Sequence, residues 1–342
     1  MKKARFVLSR SKVIEQYEKL KNLGILISYS VKTNPIVAGI LEEKTDSYFT
    51  VDNIQSLDYV KDKKRVWFML QGVKEEDMEF LFSRCVKRFI VDNEFDLKTL
   101  LTYIRKRDES IDLLLRMKVR EHTIFTGRYF VFGMDSKKVN EWLSKLRGEK
   151  NIKTLGIHFH RKTQNVSEWS LIEELSESVR KDVMEGIDMV NMGGGFPVRY
   201  KNVSDSNLDH IFKKVAEFRN WLSEYDINLM AEPGRFIAAP SVKLETYIKL
   251  IIGRNIIVDC SVYNSAMDTL IEPLKLLVEG ELERGESYTI KGCTPCPMDI
   301  FRYNVKLRKP KVGDKIIFLN AGAYNFSTDF CNLEKLETVI VD

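Results

Sequence analysis

A chain of 342 residues with 44% apolar content is long enough to bury a full core and too apolar for disorder, and its size suits two domains or one barrel with an appendage. The net charge of +5 arises from 54 basic and 49 acidic residues mixed along the whole length, so no basic stripe marks a nucleic-acid partner or a membrane surface. No apolar run approaches bilayer length, no small-residue cleavage site follows the short basic N-terminus, and the 5 cysteines are scattered, which suits a reducing cytoplasm better than a disulfide framework.

In chain order, Ala4–Leu8 reads as a strand and Lys12–Leu23 as an amphipathic helix. From residue 25 to 232 short apolar or β-branched runs alternate with amphipathic stretches. The runs are Ile25–Ser30, Tyr48–Val51, Arg65–Leu70, Arg88–Asp92, Ile111–Met117, Thr154–His160, Ile187–Met192 and Ile227–Glu232. Eight parallel strands are what a closed β/α barrel requires, although an open doubly wound sheet gives similar alternation. Between them Val166–Lys181 reads as a helix, with Trp169, Leu171, Ile172, Leu175 and Val179 at mostly three-to-four spacing. After Pro240 the pattern turns to strands: Val242–Ile251, Ile256–Ser261, Leu276–Gly280, Tyr288–Lys291, Phe301–Leu307, Lys315–Leu319 and Val339–Val341. The expectation is an α/β chain with a (β/α)8 barrel over 24–240 and a β domain built from 1–23 and 241–342, to which Ala4–Leu8 adds a strand.

The polar motifs cluster at one end of the barrel runs. Lys32 follows the first run and precedes an Asn34-Pro35 turn, His160 closes the sixth, Gly193-Gly194-Gly195 follow the seventh, and Glu232-Pro233-Gly234-Arg235 close the eighth. Barrel active sites form at that end. A Lys placed there can form an imine with an aldehyde. One turn at Glu232 offers a carboxylate for a pyridine nitrogen, backbone that approaches a ligand closely, and a guanidinium suited to phosphate. His160 is placed to stack on a ring, and Thr163 and Tyr324 offer hydroxyls to a phosphate. Together these requirements describe pyridoxal 5′-phosphate. Each feature also has an ordinary reading: a solvated lysine, a tight glycine turn needing positive φ, a surface Glu–Arg pair. His158 and His160 share a strand face, but no third metal ligand accompanies them, and Cys293-Thr294-Pro295-Cys296 lacks a second pair, so no metal is expected.

The set Tyr29-Ser-Val-Lys32-Thr-Asn-Pro35, His160, Gly193-Gly-Gly-Phe-Pro197, Glu232-Pro-Gly-Arg-Phe236 and Gly322-Ala-Tyr324 resembles the alanine-racemase-fold decarboxylases of basic amino acids. That family includes the ornithine, diaminopimelate, arginine and carboxynorspermidine decarboxylases. The resemblance implies a barrel with a β domain and a homodimer with shared active sites. It implies Lys32 as the Schiff-base lysine, His160 on the ring, Glu232 at the pyridine nitrogen, and Gly194, Gly195, Gly234, Arg235 and Tyr324 at the phosphate. Glu272, with Asp268 nearby, falls where an acid pairs with the substrate's distal cation.

Departures accompany the likeness. The family's Gly-x-x-Cys-acid-x-x-Asp segment reads Gly292-Cys293-Thr294-Pro295-Cys296-Pro297-Met298-Asp299 here, so the thiol that returns a proton to the substrate is Cys296 by a one-residue shift, or else Cys293. With the usual following acid absent, Asp299 joins Asp268 as an aid to Glu272. The family's Phe-Asp-x-Ala-Ser turn reads Phe49-Thr50-Val51-Asp52-Asn53 and loses its acid at Thr50, and Lys162-Thr163 replaces a Gly-Ser pair. The expected activity is decarboxylation of a basic amino acid. Its rivals are a racemase on the same fold, which Glu232 disfavours, and a cofactor-binding protein without catalysis.

Overall fold

The computed structural model describes residues 3–118, 132–325, 328 and 330–342. The chain divides into two compact units, one comprising residues 18–196 and 206–233, the other 1–17, 197–205 and 234–342.

The first unit is a closed barrel of eight strands, β2 (Leu26–Ser30), β3 (Tyr48–Val51), β4 (Val66–Leu70), β5 (Arg88–Val91), β6 (Ile111–Arg116), β7 (Ile152–His158), β8 (Met189–Asn191) and β9 (Asn228–Ala231). All eight expected runs are strands, each parallel to its neighbours, and β9 closes on β2 through Leu26 opposite Met230. Buried Trp67, Ile90, Leu114, Met189 and Met230 form a core cluster, with Leu26, Tyr48 and Met69 packed against it. Gly156 on β7 lets β8 close in, since a Cβ there would lie 2.0 Å from the Met189 carbonyl oxygen.

Two residues further along seven of the eight strands the same face turns polar: Leu26 gives way to Ser28, Tyr48 to Thr50, Ile90 to Asp92, Leu114 to Arg116, Gly156 to His158, Met189 to Asn191 and Met230 to Glu232, while on β4 Trp67 is followed by apolar Met69. Because strand side chains alternate with period two, each pair shares a face. A polar tier therefore sits beyond the apolar one, toward the strands' C-terminal ends.

The second unit holds β1 (Arg5–Ser9), β10 (Val242–Ile252), β11 (Asn255–Val258), β12 (Leu277–Val278), β13 (Ser287–Lys291), β14 (Ile300–Lys306), β15 (Lys315–Leu319) and β16 (Glu337–Val341). They form one sheet ordered β12-β15-β10-β11-β13-β14, with β1 antiparallel to β10 and parallel to β16. The N-terminal strand thus joins the C-terminal sheet, and helix α1 (Arg10–Lys21) follows it.

Two local expectations change. The Asn-Pro pair after Lys32 opens helix α2 (Pro35–Lys44), with the Asn34 side chain capping the Ile36 and Val37 amides and Pro35 in the first turn, where its missing N–H costs nothing. The helix expected over 166–181 begins only at Leu171 and ends at Ser178. Asn165 explains the late start: its side-chain oxygen takes the amides of Ser167 and Glu168, and its carbonyl takes the Trp169 indole N–H, so 165–169 folds as a side-chain-closed turn. Among the described residues no helix is long and apolar enough to cross a membrane.

Candidate active site

Lys32 lies in a one-turn 3-10 segment between β2 and α2. The buried Tyr29 hydroxyl donates to the Asn34 carbonyl at 3.1 Å, which pins the backbone around it. The half-exposed Lys32 ammonium meets the Asp52 carboxylate at 2.8 Å. Asp52 stands two residues beyond the position from which the expected acid is missing, just past the end of β3. A carboxylate thus stands beside Lys32 although Thr50 carries none.

Thr50 has another task. Its hydroxyl donates to Glu232 Oε1 at 2.9 Å and lies 2.7 Å from the Ser28 hydroxyl. Asn191 Nδ2 donates to the same oxygen at 2.8 Å, and His158 Nε2 lies 3.1 Å from Oε2. A carboxylate only accepts, so the His158 hydrogen is on Nε2. Three of about four acceptor sites on Glu232 are thus filled by donors from β3, β7 and β8, and one remains. Burial works to raise the Glu232 pKa, but the interaction with His158 and the hydrogen bonds from His158, Thr50 and Asn191 outweigh it and hold the group below the ordinary carboxylate range.

The glycine run is fastened to this network. The Gly193 amide donates to Asn191 Oδ1 at 3.0 Å, its carbonyl accepts the Glu232 amide at 2.8 Å, and the Gly194 amide donates to His160 Nδ1 at 3.3 Å. His160 is an exposed residue. Its pKa is lowered from the ordinary imidazole value, first by the protein packed around it and then by the cations Arg116 and Lys32, with Glu232 acting against the shift. The loop after β7 packs on the same run, Asn165 donating to the Gly195 carbonyl at 2.8 Å, and it carries half-buried Thr163.

The ordinary, conformational reason for these glycines holds. Gly193 and Gly195 have φ of +68° and +103°, and a Cβ on Gly193 would lie 2.5 Å from the Phe159 carbonyl oxygen, one on Gly194 2.9 Å from that of Glu232. Gly193→Ala should therefore destabilise the fold by about 2–3 kcal/mol in denaturant unfolding, from left-handed strain plus a backbone clash. An unchanged midpoint would mean that the run is not seated in this way.

Residues 11–239 match the family model described as "Pyridoxal-dependent decarboxylase, pyridoxal binding domain". That span is two thirds of the chain. The protein belongs to the pyridoxal-dependent decarboxylases. Among its relatives, a probable ornithine decarboxylase of Dictyostelium discoideum is 24% identical over 94% of this chain and 76% of its own length. A diaminopimelate decarboxylase of Methanothermobacter thermautotrophicus is 23% identical over 94% and 82%. The Vibrio vulnificus lysine/ornithine decarboxylase superposes with a TM-score of 0.83 at 22% identity, over 99% of this chain and 94% of that one. The Paramecium bursaria Chlorella virus arginine decarboxylase does so with 0.82 at 18%, over 100% and 96%.

A pyridoxal-dependent decarboxylase needs an anion at the ring nitrogen, and the barrel fits that need: Glu232 is ionised, immobilised and has one acceptor site left. The sequence motifs contained Glu232, His160 and the glycines. Thr50 and Asp52 stood in the Phe49–Asn53 turn and His158 beside His160, without these partners, and Asn191 stood in no motif, its only signal being the polar tier at period two.

In the second unit the expected site residues fall into three groups. Gly234 precedes the short helix Arg235–Ala238. Arg235 and Asp268 are both buried and form a two-pronged ion pair, the guanidinium also donating to Tyr200 at 3.2 Å and lying 5.3 Å from the Tyr324 ring centroid. Burial opposes the charge on Arg235, but the Asp268 hydrogen bonds raise its pKa on balance. Asp268, expected as a substrate acid, has its carboxylate committed to Arg235. Asp299, the other expected aid, is fully buried and organises its own loop: one oxygen accepts the Val262 amide at 2.9 Å, the other the Thr294 amide at 3.0 Å and hydroxyl at 2.6 Å. A Cβ on Gly292 would lie 2.0 Å from that carboxylate, so only glycine fits. The third group is what the loop presents: Cys296, whose thiol lies 2.8 Å from the Tyr263 hydroxyl. Hydrogen bonds from Tyr263 and the Met298 amide hold the Cys296 pKa below the usual thiol range, whereas burial raises that of Cys293.

Proposed function

We propose that this pyridoxal-dependent decarboxylase removes the α-carboxylate of a small amino acid bearing a distal cation, of the ornithine, lysine, arginine, diaminopimelate or carboxynorspermidine type. The observation that carries the reading is the Glu232 network. Bound there, the cofactor supplies an electron-withdrawing ring that takes up the electron pair left at Cα as carbon dioxide departs. Glu232 holds the proton at the ring nitrogen, which an Arg in that place would not do, and this disfavours racemisation. Lys32 anchors the cofactor's aldehyde carbon, and its Asp52 partner keeps the side chain at the β2 end of the barrel. His160 covers one ring face, and the Gly194 and Gly195 backbone, Thr163, Gly234, Arg235 and Tyr324 serve the phosphate, with Arg235 shared between phosphate and Asp268. Cys296, contributed by the second subunit of a homodimer, returns a proton to Cα, and Tyr263 orients its thiol. The enzyme is placed in amino-acid or polyamine metabolism in the cytoplasm, and among the described residues no helix is long and apolar enough to cross a membrane.

Recognition of the distal cation falls to Glu272. Its half-buried carboxylate has no hydrogen-bond or ion-pair partner among the described residues, unlike Asp268 and Asp299. Glu272→Gln should raise KM for the cationic substrate about 10- to 100-fold, roughly 1.4–2.7 kcal/mol for a charge-assisted hydrogen bond, with kcat little changed. An unchanged KM would remove Glu272 from the substrate pocket. The reading as a whole is tested by incubating protein and pyridoxal phosphate with each of the five amino acids and measuring carbon dioxide and amine. Release from none, with cofactor bound, would favour a non-catalytic cofactor-binding protein.

A further inference from the structure

His158 is fully buried at the end of β7, and no motif assigns it a part. Its strand neighbours in register are Arg116 and Asn191, so it stands in the polar tier beside the residues that meet at Glu232. Its Nε2–H is the donor to Oε2, while Oε1 already has Thr50 and Asn191. Its Nδ1 is buried and has no partner among the described residues, so a single N–H accounts for all that His158 does here.

Among the described residues the groups of charge or titration around Glu232 are His158 at the end of β7, His160 just beyond it and Arg116 from β6, with Asp92 just past β5 near Arg116. Among the described residues neither His160 nor Arg116 hydrogen-bonds Glu232, and Arg116 is itself opposed by burial and drawn toward Asp92. An ionised carboxylate in such a place is kept charged by its donors, since burial alone favours the neutral acid. From this geometry we infer that His158 is a positioning residue whose hydrogen bond keeps Glu232 ionised and its last acceptor site turned to the cofactor's ring nitrogen. Without that donor Glu232 takes up a proton, and a neutral acid no longer holds the ring nitrogen's proton in place. The inference rests on the proposed function for the role of Glu232.

The test compares H158Q, whose amide nitrogen reaches the place of Nε2, with H158L, which fills the space without a donor. H158Q should stay within about threefold of wild type in kcat at all pH values. H158L should lose about tenfold or more in kcat at pH 6, recover to within about threefold at pH 9, and keep KM within about threefold, because a carboxylate freed of its donor titrates nearer neutrality. Reconstitution with the 1-deaza analogue of the cofactor, which has no ring nitrogen, should erase the difference between the variants. The inference is overturned if H158Q is as impaired as H158L, if the H158L defect is independent of pH, or if it persists with the deaza analogue. Should H158L not fold, H158N, whose amide stops short of Glu232, takes its place with the same expected outcomes. Should wild type release carbon dioxide from no basic amino acid, the proposed function fails but the inference is still decided. The bound cofactor's visible band should then titrate between pH 6 and 9 in H158L and not in H158Q or wild type, and identical titrations overturn it.

Discussion

Lys32→Ala protein should fold normally, bind pyridoxal phosphate without a covalent link, and turn over on the order of 10⁴-fold more slowly, roughly 5.4 kcal/mol of barrier. Folding is spared because the side chain is half exposed and its bond to Asp52 is an accessible ion pair, worth about 0–1 kcal/mol. The Tyr29–Asn34 bond and the Asn34 cap, which shape the turn, use neither the Lys32 side chain nor its charge. Chemistry is not spared on the proposed reading, in which Lys32, in the turn after β2, anchors the cofactor. Borohydride treatment of wild type loaded with cofactor should fix the label on the peptide containing Lys32, and the variant should retain none. A label on a different lysine, or a variant with near-normal turnover, would overturn the assignment.

The second large effect is expected at Glu232. Glu232→Gln should cut kcat by about two orders of magnitude, roughly 2.7 kcal/mol, with cofactor occupancy within about threefold of wild type. A glutamine oxygen can still accept from Thr50 and Asn191. Its amide, however, points a donor at the His158 donor and offers the ring nitrogen no anion. A loss under tenfold would mean that the ring nitrogen is not its partner. The same substitution changes the acid stability of the apoprotein. The folded-state pKa of Glu232 lies below the ordinary Glu value, so its contribution is fully present above that value and is lost as the pH falls through the folded-state value. The thermal midpoint of wild type should therefore drop more steeply than that of E232Q as the pH falls below about 4.5. Parallel curves would show that Glu232 is not selectively ionised in the folded state.

The eight barrel strands and the sheet of the second unit were legible in the sequence because strand identity is set by local apolar and β-branched runs and by the turns between them. The placement of Lys32, His160, the glycines and Glu232 at the strand ends was legible because their motifs span few residues there. The helix over 166–181 was misread in its first turn, where a single side chain, Asn165, competes with the helix for backbone amides. The sequence alone also carried, unused, the change from apolar to polar at period two that forms the tier holding Thr50, His158, Asn191 and Glu232. Which members of that tier bond to which was decided only by tertiary structure. Thr50 and Glu232 are 182 positions apart in sequence, and barrel closure sets their separation. The same holds in the second unit, where Asp268 and Asp299 look alike in sequence to Glu272 as acids for a cation. Folding commits the first to Arg235 and the second to its own loop, because a buried carboxylate must find donors. It leaves Glu272 half-buried and unpartnered among the described residues.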